Sequence, residues 1–153
     1  MVEQHETFMK MAIAEAKNAL QEGDHPFGGI LVKEGQVLAR GTNMVETTYD
    51  VTAHAETMAL RNAGQIHSQV TFPGSTLYAS MEPCALCVGG ILQAKVQTLV
   101  MGARAGGREA ALKGYSVERM LQMGGWEGQL VVVTGILVDE CLSVVASWKQ
   151  PRS

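Results

Sequence analysis

The sequence predicts a three-layer α/β/α fold around a central five-stranded mixed sheet. Three observations carry that expectation. Helical and extended segments follow one another in the order helix, strand, strand, helix, strand, helix, strand, helix, strand, helix. The first two strands are separated only by Glu34-Gly35 and so form a hairpin, whereas each later strand follows a helix. With 46% hydrophobic and 18% charged residues, the chain has apolar surface for one core, and residues 1–153 are expected to form a single domain.

The elements follow in order. Phe8, Ala12, Ile13, Ala16, Ala19 and Leu20 recur at helical spacing with Lys10, Glu15, Lys17 and Asn18 between them, giving an amphipathic helix over 6–21 that Gly23 closes. Phe27 to Lys33 and Gln36 to Gly41 read as the hairpin strands, and 42–52 as a polar loop. Thr52 is placed to cap a helix over 53–63 that ends at Gly64. Thr76 to Ser80 is a short apolar strand leading into Glu82-Pro83. A helix from Cys84 to Gln93 then begins with Pro83 in its first turn, where the missing N–H costs nothing, and Gly89-Gly90 leave it a bare face for close packing. Gln97 to Ala103 is a strand, Ser116 to Met123 a helix, and Gln129 to Gly135 a Val-rich strand. Asp139 caps a last helix through Trp148.

Charge and composition exclude several classes. A net charge of −3 and a pI near 5.8 disfavour a protein whose main task is gripping a phosphate backbone. The longest apolar run, Leu130 to Val138, is interrupted by Thr134-Gly135 and is too short to span a bilayer. Met1 to Glu6 shows neither a basic nor an apolar leader region, and three cysteines do not make a disulfide framework, so a reducing cytoplasm is expected.

Two stretches thirty residues apart hold the chemistry: His54-Ala55-Glu56 and Pro83-Cys84-Ala85-Leu86-Cys87. They offer one imidazole, two thiols at i, i+3 helical spacing and one carboxylate. Zinc takes Cys sulfur and His nitrogen, and a catalytic zinc site uses three protein ligands with the fourth position left to water. His54, Cys84 and Cys87 supply three, and Glu56 is left to move protons. Cys-x-x-Cys alone would equally suit a redox pair or half a zinc finger, and a structural zinc would take a fourth protein ligand. Cys141 reads as a small buried apolar residue, His5, His25 and His67 as loop or surface residues, and the methionines, Met9, Met11, Met120 and Met123 among them, as core filler.

In this order, with Pro before the first Cys, the two stretches match the pattern of zinc-dependent nucleobase deaminases. The chain resembles the cytidine and cytosine deaminase-like superfamily through Pro26-Phe27-Gly28-Gly29, Gly41-Thr42-Asn43, Ala53-His54-Ala55-Glu56 and Met81-Glu82-Pro83-Cys84. Within it, the similarity is to guanine deaminases, fungal-type cytosine deaminases and bacterial tRNA adenosine deaminases. The resemblance implies the same three-layer fold, a Zn2+ cofactor and hydrolytic replacement of an exocyclic amine by oxygen. It also implies that Asn43 hydrogen-bonds the base, that the Ala55 N–H serves a base carbonyl, and that the protein is a homodimer. Phe27 either lines the pocket or is plain core.

On substrate, the chain departs from its relatives in two places: Asp50-Val51-Thr52-Ala53 stands where Asp-Pro-Thr-Ala is common, and Gln93 where similar guanine deaminases carry an aromatic. Met81 to Cys87 and Met101-Gly102-Ala103-Arg104 look much like tRNA adenosine deaminases, with Lys95, Arg104, Arg108, Lys113 and Arg119 as the basic patch such a protein would use. Glu109 and Glu118 dilute that patch, and the tail from Val144 to Ser153 holds only two cations. The expectation is therefore a small nucleobase or nucleoside substrate, cytosine-, isocytosine- or guanine-like. Adenosine in tRNA is the alternative, and a non-enzymatic zinc-stabilised interaction module the second alternative.

Overall fold

A computed structural model describes residues 1–105 and 114–148. Within them, α1 (Val2–Gln21) precedes the strands β1 (Gly28–Lys33) and β2 (Gln36–Thr42), followed by α2 (Val45–Thr48), α3 (Ala55–His67) and β3 (Thr76–Met81). The chain continues through α4 (Ala85–Gln93), β4 (Thr98–Ala103), α5 (Val117–Gly124), β5 (Val131–Val133) and α6 (Val138–Ala146). The strands form one mixed sheet in the order β2-β1-β3-β4-β5. β1 is antiparallel to β2 and β3, while β3, β4 and β5 run parallel.

Both faces are covered, as three layers require. On one face, α3, α4 and α5 pack Ala59, Ala63, Val88, Ile91, Val117 and Leu121 against Leu31, Leu77, Leu99 and Met101 of the sheet. On the other, α1 and α6 pack Met9, Ala12, Ile13 and Val144 against Ile30, Val32, Tyr78 and Val100. Tyr78 also holds the start of α1, its hydroxyl 2.8 Å from His5 Nδ1. Among the described residues no helix is long and apolar enough to cross a membrane.

Several element ends differ from the sequence expectation, each for a local reason. The 42–52 stretch is not all loop. The buried Asp24 carboxylate accepts from the Glu46 and Thr47 amides (2.9 Å each) and the Thr47 hydroxyl (2.8 Å), which winds α2 around it. Thr52 does not cap α3, because its hydroxyl donates to Asp50 Oδ1 at 2.7 Å and His54 takes the N-cap position. The helix runs on through Gly64 to His67, since one glycine inside a helix costs only about 1 kcal/mol, and Ser68 stops it with φ 54°. Pro83 lies one residue outside α4, with Cys84 as the N-cap. Asp139 sits in the first turn of α6 while Leu137, at φ 54°, is its N-cap. β5 is only three residues long. Gly90 has Leu60 3.5 Å from where a Cβ would stand, so α4 does pack closely there, whereas Gly89 meets nothing. Met9 is core but Met123 is 88% exposed, because it falls on the outer side of α5.

The sheet positions α3 through a glycine. A Cβ on Gly41 would lie 2.1 Å from the Ala55 carbonyl oxygen and 2.4 Å from the Ala59 nitrogen. The first turn of α3, with the His54-Ala55-Glu56 stretch, therefore sits closer to β2 than any side chain permits. Gly41→Ala should cost about 1–3 kcal/mol or more by overpacking, lowering Tm by roughly 3–10 °C. Gly128→Ala, where a Cβ meets nothing within 4 Å, should leave Tm within about 2 °C. Thermal denaturation of both variants checks the contrast.

Candidate metal centre and active site

The two helices that carry the sequence motifs start at the same place. His54 is the N-cap of α3 and Cys84 the N-cap of α4. Neither side chain caps its own helix. Instead, His54 Nδ1 lies 3.5 Å from Cys84 Sγ and 3.5 Å from Cys87 Sγ, and the two sulfurs are 3.8 Å apart. That sulfur separation is nearly twice the ~2.05 Å of a disulfide, so the two thiols are unbonded, and an imidazole nitrogen lies close to both.

The donor set fits zinc. Tetrahedral coordination with Zn–S near 2.3 Å and Zn–N near 2.0 Å demands ligand atoms about 3.8 Å apart for S to S and about 3.5 Å for S to N. All three edges of the His54–Cys84–Cys87 triangle match. No fourth His, Cys, Asp or Glu joins this cluster among the described residues, which is the open arrangement of a catalytic rather than a structural site. Cys141 is buried in α6 against β4, close to Gly102, and its thiol is pushed up to about 11 by burial.

Electrostatics at the cluster favour ligation. The Cys84 thiol is pushed down to about 4, first by the hydrogen bond from Cys87 and then by His54. Cys87 moves up, since its thiol donates to Cys84 and to Glu56 and is buried. The His54 imidazole is raised, mostly by its hydrogen bond to Cys84. Two helix N-termini add partial positive charge at the same point, which supports thiolate over thiol.

Glu56 is buried in the first turn of α3 and accepts a hydrogen bond from Cys87. Desolvation is the largest influence on it, and its carboxyl is raised to about 7. A carboxyl poised near neutrality both takes and returns protons efficiently.

The other site residues lie at the ends of β1 and β2. Asn43 is buried and its amide N–H donates to the Phe27 carbonyl at 3.2 Å. Its Oδ1 accepts from Val45 N at 3.0 Å and His25 N at 3.4 Å. With the oxygen taken, the side chain offers a ligand its Nδ2 donor rather than both halves of an amide. Met44 N donates to Ala53 O at 2.9 Å, tying this loop to the residue before His54. Ala55 is fully buried at the first position of α3, where a helix leaves its N–H without an intrahelical partner. Phe27 is partly buried in the α1/α6 core and also belongs to an aromatic cluster, its ring 6.0 Å from Trp148, which lies 4.8 Å from His25.

Of the five residues of the expected basic patch, Lys95, Arg104 and Arg119 are described. Arg104 is held by Glu82 at 2.8 Å and Glu118 at 2.5 Å, so its charge is already paired. Lys95 follows the C-terminal end of α4, a helix length away from Cys84. Arg119 lies on α5, and Arg108 and Lys113, like Lys149 and Arg152 in the tail, fall outside the described residues. The sequence reading missed Glu82, Tyr115 and Trp148 as neighbours of the site. Glu82 was visible only as part of a motif, and nothing local marks the other two.

Comparison with known proteins gives a consistent picture. Residues 2–103 match the model of the cytidine and deoxycytidylate deaminase zinc-binding region. The chain is 35% identical to the tRNA-specific adenosine deaminase of Bacillus subtilis, over 95% of this chain and 88% of that one. It is 39% identical to the guanine deaminase of the same species, over 65% of this chain and 64% of that one. It is 45% identical to the chloroplastic tRNA(adenine(34)) deaminase of Arabidopsis thaliana over 64% of its own length, which is only 8% of that much longer protein. Among solved structures, one from work on A-to-I editing by tRNA:A34 deaminases superposes with a TM-score of 0.80 at 32% identity, covering 90% of this chain and 98% of that one. A guanine deaminase from Nitrosomonas europaea gives 0.79 at 26%, covering 92% and 82%.

Purified protein should carry about one zinc per chain. Cys84→Ala and Cys87→Ala should each lose it, whereas Cys141→Ser should keep it. Elemental analysis of the three variants is the check, and full zinc in both alanine variants would remove these residues as ligands.

Proposed function

The chain belongs to the cytidine and deoxycytidylate deaminase zinc-binding family, with zinc as its cofactor, and from that membership we propose that it hydrolyses the exocyclic amine of adenosine in tRNA, leaving inosine and ammonia. The observation that carries this reading is the near full-length match to a tRNA-specific adenosine deaminase. It replaces the small substrate expected from charge alone. Net charge describes the whole surface, whereas a splayed-out base is held by stacking and edge contacts that need few cations. The mouth of the site suits that mode: Tyr49 is 96% exposed and Val51 77% exposed on the loop before His54, and Leu86 lies exposed between the two cysteines.

Zinc, held by His54, Cys84 and Cys87, supplies an acidified water by lowering its pKa from about 15.7 to roughly 7. Glu56 accepts one proton of the attacking water and passes it to the ring nitrogen beside the reacting carbon as the C–O bond forms. It then takes the second proton from the hydroxyl of that adduct and delivers it to the amine, which leaves as ammonia as the C–N bond breaks and the C=O forms. Asn43 Nδ2 and the Ala55 N–H orient the base, and Phe27 walls the pocket. The proposal takes residues 1–153 as one cytoplasmic deaminase domain. The reading includes pairing of two chains as a homodimer. Light scattering should then give about twice the 16.4 kDa chain mass.

One observation favours a second reading, deamination of a free base or nucleoside. Arg104 is neutralised by two carboxylates, and Trp148, His25 and Phe27 close an aromatic wall beside Asn43. The two readings separate in one screen of the zinc-loaded protein. Inosine formed in an anticodon hairpin supports the first. Ammonia from cytosine, isocytosine, guanine, adenine or their nucleosides, with the hairpin unchanged, supports the second. Zinc-loaded protein that acts on none of them would leave the interaction module.

Glu56→Gln keeps the shape and removes the proton exchange. It should fold, keep its zinc and bind substrate, yet turn over at least about a hundredfold more slowly, with the loss in kcat rather than KM. Near-normal turnover in that variant would rule out Glu56 as the proton carrier.

A further inference from the structure

Cys84 and Cys87 are held in different ways. Cys87 is fully buried on α4, whose neighbours Val88 and Ile91 pack into the core. Cys84 is only part-buried and sits at the N-cap, tied to the helix through its carbonyl, which accepts from Val88 N at 3.0 Å, while its N–H side leads back into the connection from β3. Its position depends on the short connection Glu82-Pro83 between β3 and α4, and that connection is gripped from one side by the chain between β4 and α5.

Three donors reach the buried Glu82 carboxylate. Arg104 donates to Oε2 at 2.8 Å, the Val117 N–H to the same oxygen at 3.0 Å, and the Ala105 N–H to Oε1 at 3.1 Å. One residue further on, the Tyr115 hydroxyl donates to the Pro83 carbonyl at 2.6 Å. That oxygen belongs to the peptide plane whose nitrogen is Cys84's own. Because the plane is rigid, fixing its oxygen fixes the direction in which Cys84 leaves it. The Glu118 carboxylate steadies the clamp by pairing with Arg104 at 2.5 Å.

We propose that Glu82 and Tyr115 are positioning residues for the metal centre, an outer clamp that holds Cys84 without touching the metal. The inference rests on the reading of His54, Cys84 and Cys87 as zinc ligands. Groups one layer out from a metal commonly contribute 10- to 100-fold to its affinity by holding a ligand in place. The clamp also ties the metal-ligand turn to α5 through the Val117 N–H and, by way of Arg104, through Glu118.

The test measures how fast zinc passes from the folded protein to a chromogenic chelator in excess. Tyr115→Phe removes one oxygen and Glu82→Gln removes one charge. Each should release zinc about 10- to 100-fold faster than wild type, with native circular dichroism. Ile13→Val, which thins the core on the opposite face of the sheet, should release at the wild-type rate although its Tm falls. Wild-type release from folded Tyr115→Phe and Glu82→Gln, or acceleration by Ile13→Val as large as theirs, would overturn the clamp. If Glu82→Gln does not fold, Tyr115→Phe decides alone. A wild-type protein that holds no zinc would overturn the ligand reading, and the clamp with it.

Discussion

The structure depends on one constraint: the N-termini of α3 and α4 must meet. Each helix begins just after a loop that leaves the sheet on the same face, and each has a candidate metal ligand at its N-cap. Serine, threonine, aspartate or asparagine normally stands at that position to satisfy the helix's own amides. In this protein both helices forgo a side-chain cap, and the two side chains turn towards each other instead. The lost capping, about 1 kcal/mol per helix, is offset where the pair binds a metal, because ligation is then coupled to folding. Two positive helix ends face one small anionic cluster, so the field that destabilises an uncapped end stabilises thiolates.

Everything else near the site keeps those two ends in register. Gly41 lets α3 lie against β2 with backbone in contact. Asp24 and Asn43 fasten the 43–53 loop from below, one by capping α2 and the other by accepting from Val45 and His25. The Glu82 carboxylate does the equivalent on the α4 side. Each of these buried polar groups has its carboxylate or amide oxygen engaged, as the cost of leaving one unpaired requires, and no described buried side-chain nitrogen or oxygen lacks a partner. Rigidity around the cluster follows from hydrogen bonding, and the apolar core supplies the platform beneath.

The parts of this arrangement that were legible in the sequence are those with a period or a fixed spacing. The helical stripe from Phe8 to Leu20, the Glu34-Gly35 turn with both residues at positive φ, and the i, i+3 cysteines each follow from local geometry. The coming together of His54, Cys84, Cys87 and Glu56 was legible because few residue types suit one site's chemistry, and these four stand in two short stretches. Loops were not. Nothing in 42–52 signals α2, since the group that caps it, Asp24, is some twenty residues away. The pairing of Arg104 was hidden for a related reason: its partners Glu82 and Glu118 are 22 and 14 residues away, a spacing that signals no contact. Tyr115 could not have been placed, because the bond to Pro83 joins residues 32 apart.

This division also explains why reaction and substrate were not equally readable. The reaction is set by what stands at two helix ends: ligands, one proton-carrying carboxyl and a helix N–H. Those are few, buried and constrained by metal geometry, so the sequence has little room to vary them. Outside those helix ends lie surface elements: the loop carrying the exposed Tyr49, and Trp148 just after α6, its ring tilted 39° against His25 at 4.8 Å. Surface loops can vary there without disturbing the metal triangle. The same sheet and helices thus serve relatives named for guanine and for tRNA adenosine. On the reading proposed above, discrimination between substrates falls to surface elements of this kind rather than to the zinc-binding motif.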